Sequence, residues 1–346
     1  MFSQYRLQRI VMFAATLVLA MGLIPSPAAA QYQVVNLTSD QKGKAKHVDP
    51  NLVNAWGMSY GPGGPFWVSD EGTGLSTVYN GSGAPQSTVV TIPPSSGSGK
   101  GTPTGQVYNG TSDFKVTQGS KSGPAYFIFD TLDGTISGWN PTVNSDTAII
   151  AVNNTGAEYT GLAIGTNSGA NYIYGADFLN NKVDIYDGSF NFVSSFTDPN
   201  VPSGYAPYNV QNIGGQLYVT YTATNLSGGG VVDIFDTAGN LIKTFASGGT
   251  LNAPWGIALA PANFGPASKA LLVGNLGSGR ISAFNAKTGK LIGPLKDTKR
   301  KVISISGLWG LEFGGGSSSN GKTNQLFFTA GTNGYADGLF GVINFK

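Results

Sequence analysis

The chain has 346 residues, of which 11% are charged and 51 are glycine. Its formal net charge is only +2, so it lacks the surplus of positive charge that general binding to nucleic acid or to an anionic membrane requires. It contains no cysteine and a single histidine, His47, which excludes a disulfide framework and a multi-histidine metal site.

Residues 1–30 have the pattern of a secretory signal peptide. Arg6 and Arg9 precede an apolar run at 10–24, and small residues lead up to a cleavage point between Ala30 and Gln31. The run is too short to argue for a membrane span. We therefore expect an exported protein, periplasmic or extracellular, without a membrane span after the signal is removed. Cleavage would leave 18 basic and 18 acidic residues.

Residues 52–80 contain an apolar run, a Gly-rich turn, an aromatic run, a polar turn and a third run, and this plan recurs five more times. Runs this short, separated by Gly, Pro, Asn and Asp, indicate strands joined by tight turns. Equivalent residues lie 47 to 56 residues apart, about one propeller blade each. These anchor residues are Gly57, Gly105, Gly161, Asn209, Gly256 and Gly310.

The repeats predict an all-β fold, namely a six-bladed β-propeller with four-stranded antiparallel blades that forms a single domain over residues 31–346. The last anchor is followed by only 36 residues, about one strand fewer than a full repeat. Residues 31–37 read as an additional strand ahead of the first repeat. We expect this N-terminal strand to complete the last blade, because the pairing would cover an open sheet edge.

Polar residues recur at equivalent places and are candidates for a ligand or metal site. An Asp or Asn follows the second strand in four blades, and it would share one face with the residues leading into the inner strands. Carboxylate and amide oxygens suit Ca²⁺, although Asp and Asn also favour turns at such places. The candidates are Asn54, Asp70, Asp130, Glu158, Asp177, Asn209, Asn252 and Asn275.

Three tryptophans, Trp56, Trp255 and Trp309, stand directly before the anchor residues of blades one, five and six. We expect their rings to fill space between blades or near the channel, where the adjacent Gly allows close backbone approach. A platform for a sugar or a peptide is the alternative. These tryptophans therefore join the candidate ligand-binding residues.

Two motif matches carry less weight. Residues 316–323 fit the P-loop pattern, but a predicted strand follows them in place of the helix that a phosphate site needs. His47 and Asp49 could form part of a catalytic triad, yet no G-x-S-x-G nucleophile motif accompanies them. No catalytic residue is predicted, and no cofactor is firmly implied beyond a possible Ca²⁺.

The segments 47–81, 123–140 and 252–261 are similar to an uncharacterised family of exported bacterial β-propeller proteins, which distantly resembles NHL-repeat propellers. Some members of that family carry a C-terminal PEP-CTERM sorting tail, whereas this chain reads GVINFK at its last residues. The resemblance implies the fold and export, and it brings no known activity.

The broader likeness to six-bladed propellers includes calcium-dependent lactonases, which hold their metal with Glu, Asn and Asp from several blades. That likeness would give a metal role to Asn54, Asp70, Glu158 and Asn209. The favoured function is a non-catalytic exported protein that binds an unknown protein, glycan or small molecule on the loop face at the channel mouth. The alternative is a calcium-dependent, lactonase-like hydrolase with its metal in the central channel.

Overall fold

The computed structural model describes residues 31–346, and the predicted signal peptide lies outside the described residues. Six sheets form the blades of a propeller, so the predicted all-β six-bladed fold is confirmed. The helical structure in these residues is a single 3-10 turn, Gly265–Ala267. Over the same range, no helix has the length and apolar character needed to cross a membrane.

The chain begins with β1 (Tyr32–Ser39) and β2 (His47–Val48). Blade one contains β3 (Ala55–Ser59), β4 (Phe66–Asp70), β5 (Leu75–Tyr79) and β6 (Pro85–Thr91). Blade two starts with β7 (Pro103–Tyr108), continues through an inserted hairpin of β8 (Lys115–Gln118) and β9 (Lys121–Pro124), and is completed by β10 (Phe127–Thr131), β11 (Thr135–Trp139) and β12 (Ile149–Asn153). Blade three contains β13 (Tyr159–Asn167), β14 (Ala170–Asp177), β15 (Lys182–Asp187) and β16 (Phe192–Phe196).

Blade four contains β17 (Tyr205–Ile213), β18 (Gln216–Ala223), β19 (Val231–Phe235) and β20 (Leu241–Ser247). Blade five contains β21 (Pro254–Leu259), β22 (Ala270–Asn275), β23 (Arg280–Asn285) and β24 (Leu291–Pro294). Blade six contains β25 (Leu308–Phe313), β26 (Gln325–Thr332) and β27 (Asp337–Phe345). The inner strands, which contact one another around the ring, are β3, β7, β13, β17, β21 and β25.

The strand β1 completes blade six. It pairs antiparallel with β27 from Tyr32 opposite Phe345 to Ser39 opposite Leu339, so the predicted closing strand is confirmed and extends two residues beyond its expected end. The buried Tyr32 hydroxyl donates a hydrogen bond to the Phe264 carbonyl at 2.7 Å, which ties the closing strand to blade five. The N-terminal strand therefore joins the first and last parts of the described chain in one sheet.

The apolar core is divided into layers between neighbouring blades. One buried cluster lies at each of the six junctions around the ring. At the junction of blades one and two, for example, Trp67 stacks on Phe127 with ring centroids 4.2 Å apart. Because these sheets bury their faces against one another, each blade depends on both of its neighbours.

The anchor residues mark the closest approach of the inner strands. A Cβ atom on Gly57 would lie 2.5 Å from the carbonyl oxygen of Thr104 in blade two. This distance is too short for a non-bonded contact, and glycine, which has no Cβ atom, does not make it. In blade four the anchor is Asn209, and its amide donates a hydrogen bond to the Trp255 carbonyl of blade five at 2.9 Å. The repeated glycine is therefore required by the convergence of strands at the centre.

A register shift accompanies the anchor in most blades. In blade one, the pairing of β3 with β4 shifts between Ala55 and Met58, and the inner strands of blades three to six shift at the equivalent place. Such a β-bulge changes which side chains point to each side of a strand. The simple alternation of side chains along a strand is therefore interrupted at the channel.

Candidate functional site

Each inner strand contacts the next at equivalent residues, so all six inner strands run in the same direction along the channel. The two ends of the channel are therefore different. The upper face is the end where these strands begin, and it carries Asn54, Glu158 and Asn252. The lower face is the end where they finish, and it carries Tyr60 and Tyr108.

Four buried aromatic side chains, Trp56, Tyr208, Trp255 and Trp309, fill the channel towards the upper face and are called here the aromatic plug. Trp56 stacks on Trp309 with ring centroids 3.6 Å apart, and Trp255 meets both rings edge-on. The Trp309 indole N–H donates to Asn54 Oδ1 at 3.0 Å. The structure thus brings the three predicted tryptophans together in a packed cluster.

The upper-face candidates Asn54 and Glu158 are held by local contacts. Asn54 adopts a left-handed backbone conformation with φ 46°, and its side-chain amide donates to Glu71 Oε2 at 2.7 Å. Glu158 is half-buried, and its pKa is raised by burial and by the nearby carboxylate of Asp177. The carboxylate of Glu158 is therefore more accessible than that of Asp177.

The polar residues predicted to follow the second strands lie within those strands, at or near their ends, and are buried within their own blades. Asp177 accepts hydrogen bonds from the backbone N–H groups of Glu158 and Asn180, and Asn275 Oδ1 accepts from the backbone N–H of Asn252 at 2.9 Å. The bond to Asn180 is that of a turn. The bonds to Glu158 and Asn252 instead tie the end of the second strand to the segment that leads into the inner strand of the same blade.

The two remaining aspartates bond to threonine hydroxyls. Asp70 Oδ2 accepts from Thr77 at 2.7 Å, and Asp130 Oδ1 accepts from Thr104 at 2.8 Å. Burial raises the pKa of Asp130 to about 6 and that of Asp70 well above its usual range. In residues 31–346, no three side chains of His, Cys, Asp or Glu are grouped so as to hold a metal, and calcium binding stays a prediction.

A cavity of about 370 Å³ occupies the lower part of the channel. All six inner strands or the residues adjoining them contribute to this channel cavity, and Trp255 of the aromatic plug contributes to its wall. Its polar and aromatic lining consists of Ser59, Tyr60, Gln106, Tyr108, Asn209, Gln211, Asn212, Trp255 and Glu312. Asn209 is therefore the one predicted polar candidate that reaches this cavity.

Most of the lining amides are already engaged. Gln106 donates to the Gly57 carbonyl at 3.0 Å, and Asn212 donates to the Ile164 carbonyl at 2.9 Å. These bonds cross between neighbouring blades, so they hold the ring together. By contrast, the side chain of Gln211 makes no hydrogen bond to the described residues and remains available to a ligand.

Glu312 is the only charged residue in the inner strands of the described chain, and it lines the channel cavity. Within residues 31–346 its carboxylate has neither a hydrogen-bond partner nor an ion-pair partner, and burial raises its pKa to about 7. Tyr60 is its titratable neighbour, with a pKa raised to about 12 by burial and by Glu312. An unpartnered acid in a cavity is a typical mark of a functional site.

Glu312 was not among the predicted site residues, although the sequence contains a signal for it. The positions two residues after the anchors form one ring of equivalent residues, and only the last of them is charged. These positions hold Ser59, Val107, Ala163, Gln211, Ala258 and Glu312. A comparison along this ring would have found the acid.

Solved structures similar to this chain include propellers with different chemistries. A streptogramin B lyase structure aligns with 93% of this chain and 100% of its own, with a TM-score of 0.56 and 12% identity. The PQQ-bound aldose sugar dehydrogenase from Streptomyces coelicolor aligns over 92% and 99%, with a TM-score of 0.54 and 14% identity. At such identities the likeness concerns the fold alone.

No protein-family model matches the chain. Uncharacterized protein R648 of Acanthamoeba polyphaga mimivirus is 31% identical over 338 residues, which cover 92% of this chain and 82% of the relative. Uncharacterized protein L690 of the same virus is 30% identical over 336 residues, covering 92% and 87%. Both relatives are viral, and the bacterial origin and export expected from the sequence stay predictions. The chain belongs to the family that includes these two uncharacterized mimivirus proteins.

Proposed function

We propose that this protein is a non-catalytic binding protein that holds a small molecule in the channel cavity, and that it acts outside the cytoplasm after export. The observation that carries the proposal is the unpartnered carboxylate of Glu312 in a cavity lined by amides and tyrosines. The volume of about 370 Å³ falls within the range of about 300–1,000 Å³ that is typical of small-molecule sites.

The composition of the cavity favours binding over catalysis. Glu312 is the one acid among the described lining residues, and the other polar groups are amides, tyrosine hydroxyls and the Ser59 hydroxyl. General acid–base and nucleophilic catalysis usually need a second positioned group, such as a base beside the serine. The Ser59 hydroxyl instead lies 3.5 Å from the amide oxygen of Gln106.

The proposal assigns the ligand to the lower face, whereas the sequence favoured the loops of the upper face. The reason is that the aromatic plug fills the channel above, with Trp56, Trp255 and Trp309 buried against one another. The cavity and the free polar groups lie below the plug. A rigid ring then fixes the positions of the groups that contact the ligand.

The test is isothermal titration calorimetry with three small probes of different charge: choline, myo-inositol and citrate. We expect at least one probe to bind the parent protein with one-to-one stoichiometry. The variant Gln211→Trp should abolish that binding, because an indole at this lining position would fill the channel cavity. The matched control Gln86→Trp, on the exposed outer strand β6, should bind as the parent does.

Two results would contradict the proposal. One is binding that survives Gln211→Trp unchanged, and the other is the absence of binding by all three probes at millimolar concentration. Loss of binding in Asn54→Ala and Glu158→Gln, with Gln211→Trp unaffected, would return the site to the upper face.

A further inference from the structure

We infer that the ligand of the channel cavity is a small organic cation, with an ammonium group that pairs with Glu312 and lies against Tyr60 and Tyr108. This inference rests on the proposed function, because it names the chemical class of the molecule bound there. It begins from the charge of the cavity. In the described lining, Glu312 faces no lysine, arginine or histidine that could neutralise it.

The strands packed around Glu312 do not supply a counter-charge either. It sits in β25, which contacts β3, β21, β22 and β26, and none of these strands contributes a basic residue. The titratable group that faces it is Tyr60, whose hydroxyl is occupied by donating to the Phe313 carbonyl at 2.9 Å. Glu312 is half-buried, and a carboxylate that has lost much of its water is costly unless it is paired, so a cation from outside the chain is the complementary partner.

Two tyrosines provide the second half of the site. The ring of Tyr108 packs closely on Gly61, the residue after Tyr60, because a Cβ at Gly61 would lie 2.7 Å from the Tyr108 ring. Tyr108 thus lies beside the residue that follows Tyr60, and both tyrosines line the cavity at the lower face. Aromatic faces attract organic ammonium groups through their quadrupoles, and this attraction strengthens when water is excluded.

The acid also makes a clear prediction about pH. Burial raises the pKa of Glu312 to about 7, so in the free protein the carboxylate is mostly ionised at pH 8 and mostly protonated at pH 6. A cation binds the ionised form. Its affinity should therefore fall about tenfold from pH 8 to pH 6, in proportion to the ionised fraction.

Calorimetry with choline and its uncharged carbon analogue, 3,3-dimethylbutan-1-ol, separates charge from shape. We expect choline to bind the parent protein at pH 8 at least about tenfold more tightly than the analogue, since the analogue cannot pair with a carboxylate. Glu312→Gln should weaken choline binding at least about tenfold at pH 8 and remove its pH dependence. The control Glu158→Gln, at the upper face, should bind choline as the parent does.

The inference is overturned if choline and its analogue bind equally, or if Glu312→Gln binds choline as tightly as the parent. It is also overturned if choline fails to bind while myo-inositol or citrate occupies the cavity, and in that case the proposed binding function still stands. Failure of all the probes would contradict both. A melting curve of Glu312→Gln that matches or exceeds the parent's shows that the variant is folded.

Discussion

At five of the six anchor positions, glycine allows a close contact between inner strands that a side chain would block. Gly57 and Gly310 lie where the backbone of one inner strand touches the next, and a side chain there would meet a carbonyl oxygen at 2.5 or 2.9 Å. The recurrence of glycine in the sequence repeats therefore reflects a steric requirement at the centre of the ring.

Replacing Gly57 with alanine should destabilise the protein by about 1–3 kcal/mol, because the new methyl group overpacks the contact with the Thr104 carbonyl. The control is Gly156→Ala, where a Cβ would lie at an ordinary 3.6 Å from the nearest atom. Urea unfolding of both variants measures the difference. Equal stability of the two variants would contradict the close approach.

Buried carboxylates predict how stability depends on pH. Burial, and to a lesser extent the neighbouring Asp198, raises the pKa of Asp233 to about 7. In the unfolded chain the pKa of an aspartate is about 4. The folded state therefore holds the proton more tightly, and the contribution of Asp233 to stability falls as pH rises from about 4 to about 7.

The variant Asp233→Asn should remove this loss. At pH 8 we expect it to be more stable than the parent by more than about 1 kcal/mol, since each unit of pKa shift corresponds to about 1.4 kcal/mol. Near pH 4 the two should unfold alike. Urea unfolding at pH 4.5, 6 and 8 provides the measurement, with the exposed Asp146→Asn as control. A lower stability of Asp233→Asn at pH 8 would contradict the account.

The strands of the blades and their order were predictable from the sequence, because turns rich in Gly, Asn and Asp separate them. The inserted hairpin of β8 and β9 was not predicted. The closing strand was also predictable, since the last repeat lacked one strand and residues 31–37 supplied it. The candidate site was not predicted, although Glu312 is the one charged residue among the equivalent positions of the repeats. A register shift at the anchors, such as that between Leu308 and Leu311 in β25, breaks the alternation that would indicate which side chains reach the channel.

The turn residues were also ambiguous, because the sequence patterns of a turn and of an oxygen-rich metal site are the same. Asp177 and Asn275 were candidates for both, and each accepts hydrogen bonds from backbone N–H groups of its own blade. By contrast, Glu312 belongs to no motif. Its importance follows from the absence of a described partner, and partners become visible only when the blades are assembled.

Because β1 closes the ring, shortening one of its buried side chains should lower the stability of the protein strongly. Leu37 in β1 is buried against Phe66 and Phe340, at the junction of blades six and one. Leu37→Ala should therefore cost about 2–5 kcal/mol. Gln33→Ala, an exposed position on the same strand, should change stability little. Thermal unfolding compares them, and a melting temperature of Leu37→Ala equal to that of Gln33→Ala would mean that β1 does not close the ring.

Considered as a whole, the propeller is asymmetric along its axis. The upper end of the channel is filled by the aromatic plug, and the lower end contains a cavity with one unpartnered acid. The ring needs every blade to cover its neighbours, whereas the cavity needs only a few side chains. The packed scaffold and the small site are therefore formed by different side chains.

The arrangement of the carboxylates predicts how the melting temperature responds to Ca²⁺. No group of carboxylates suited to a metal is formed in residues 31–346, so neither 1 mM Ca²⁺ nor EDTA should change the melting temperature. At a free Ca²⁺ concentration 100 times the Kd, a calcium site would stabilise the fold by about 2.7 kcal/mol, which is readily detected. A calcium-dependent rise in melting temperature that is lost in Asp177→Asn would instead support the lactonase-like alternative at the upper face.

The most direct measurement is a crystal structure of the protein grown with choline at pH 8. We predict choline in the channel cavity, with its ammonium group beside the Glu312 carboxylate and within about 6 Å of the Tyr60 or Tyr108 ring. Choline bound at the upper face, or a channel cavity that contains only water under saturating choline, would contradict the account.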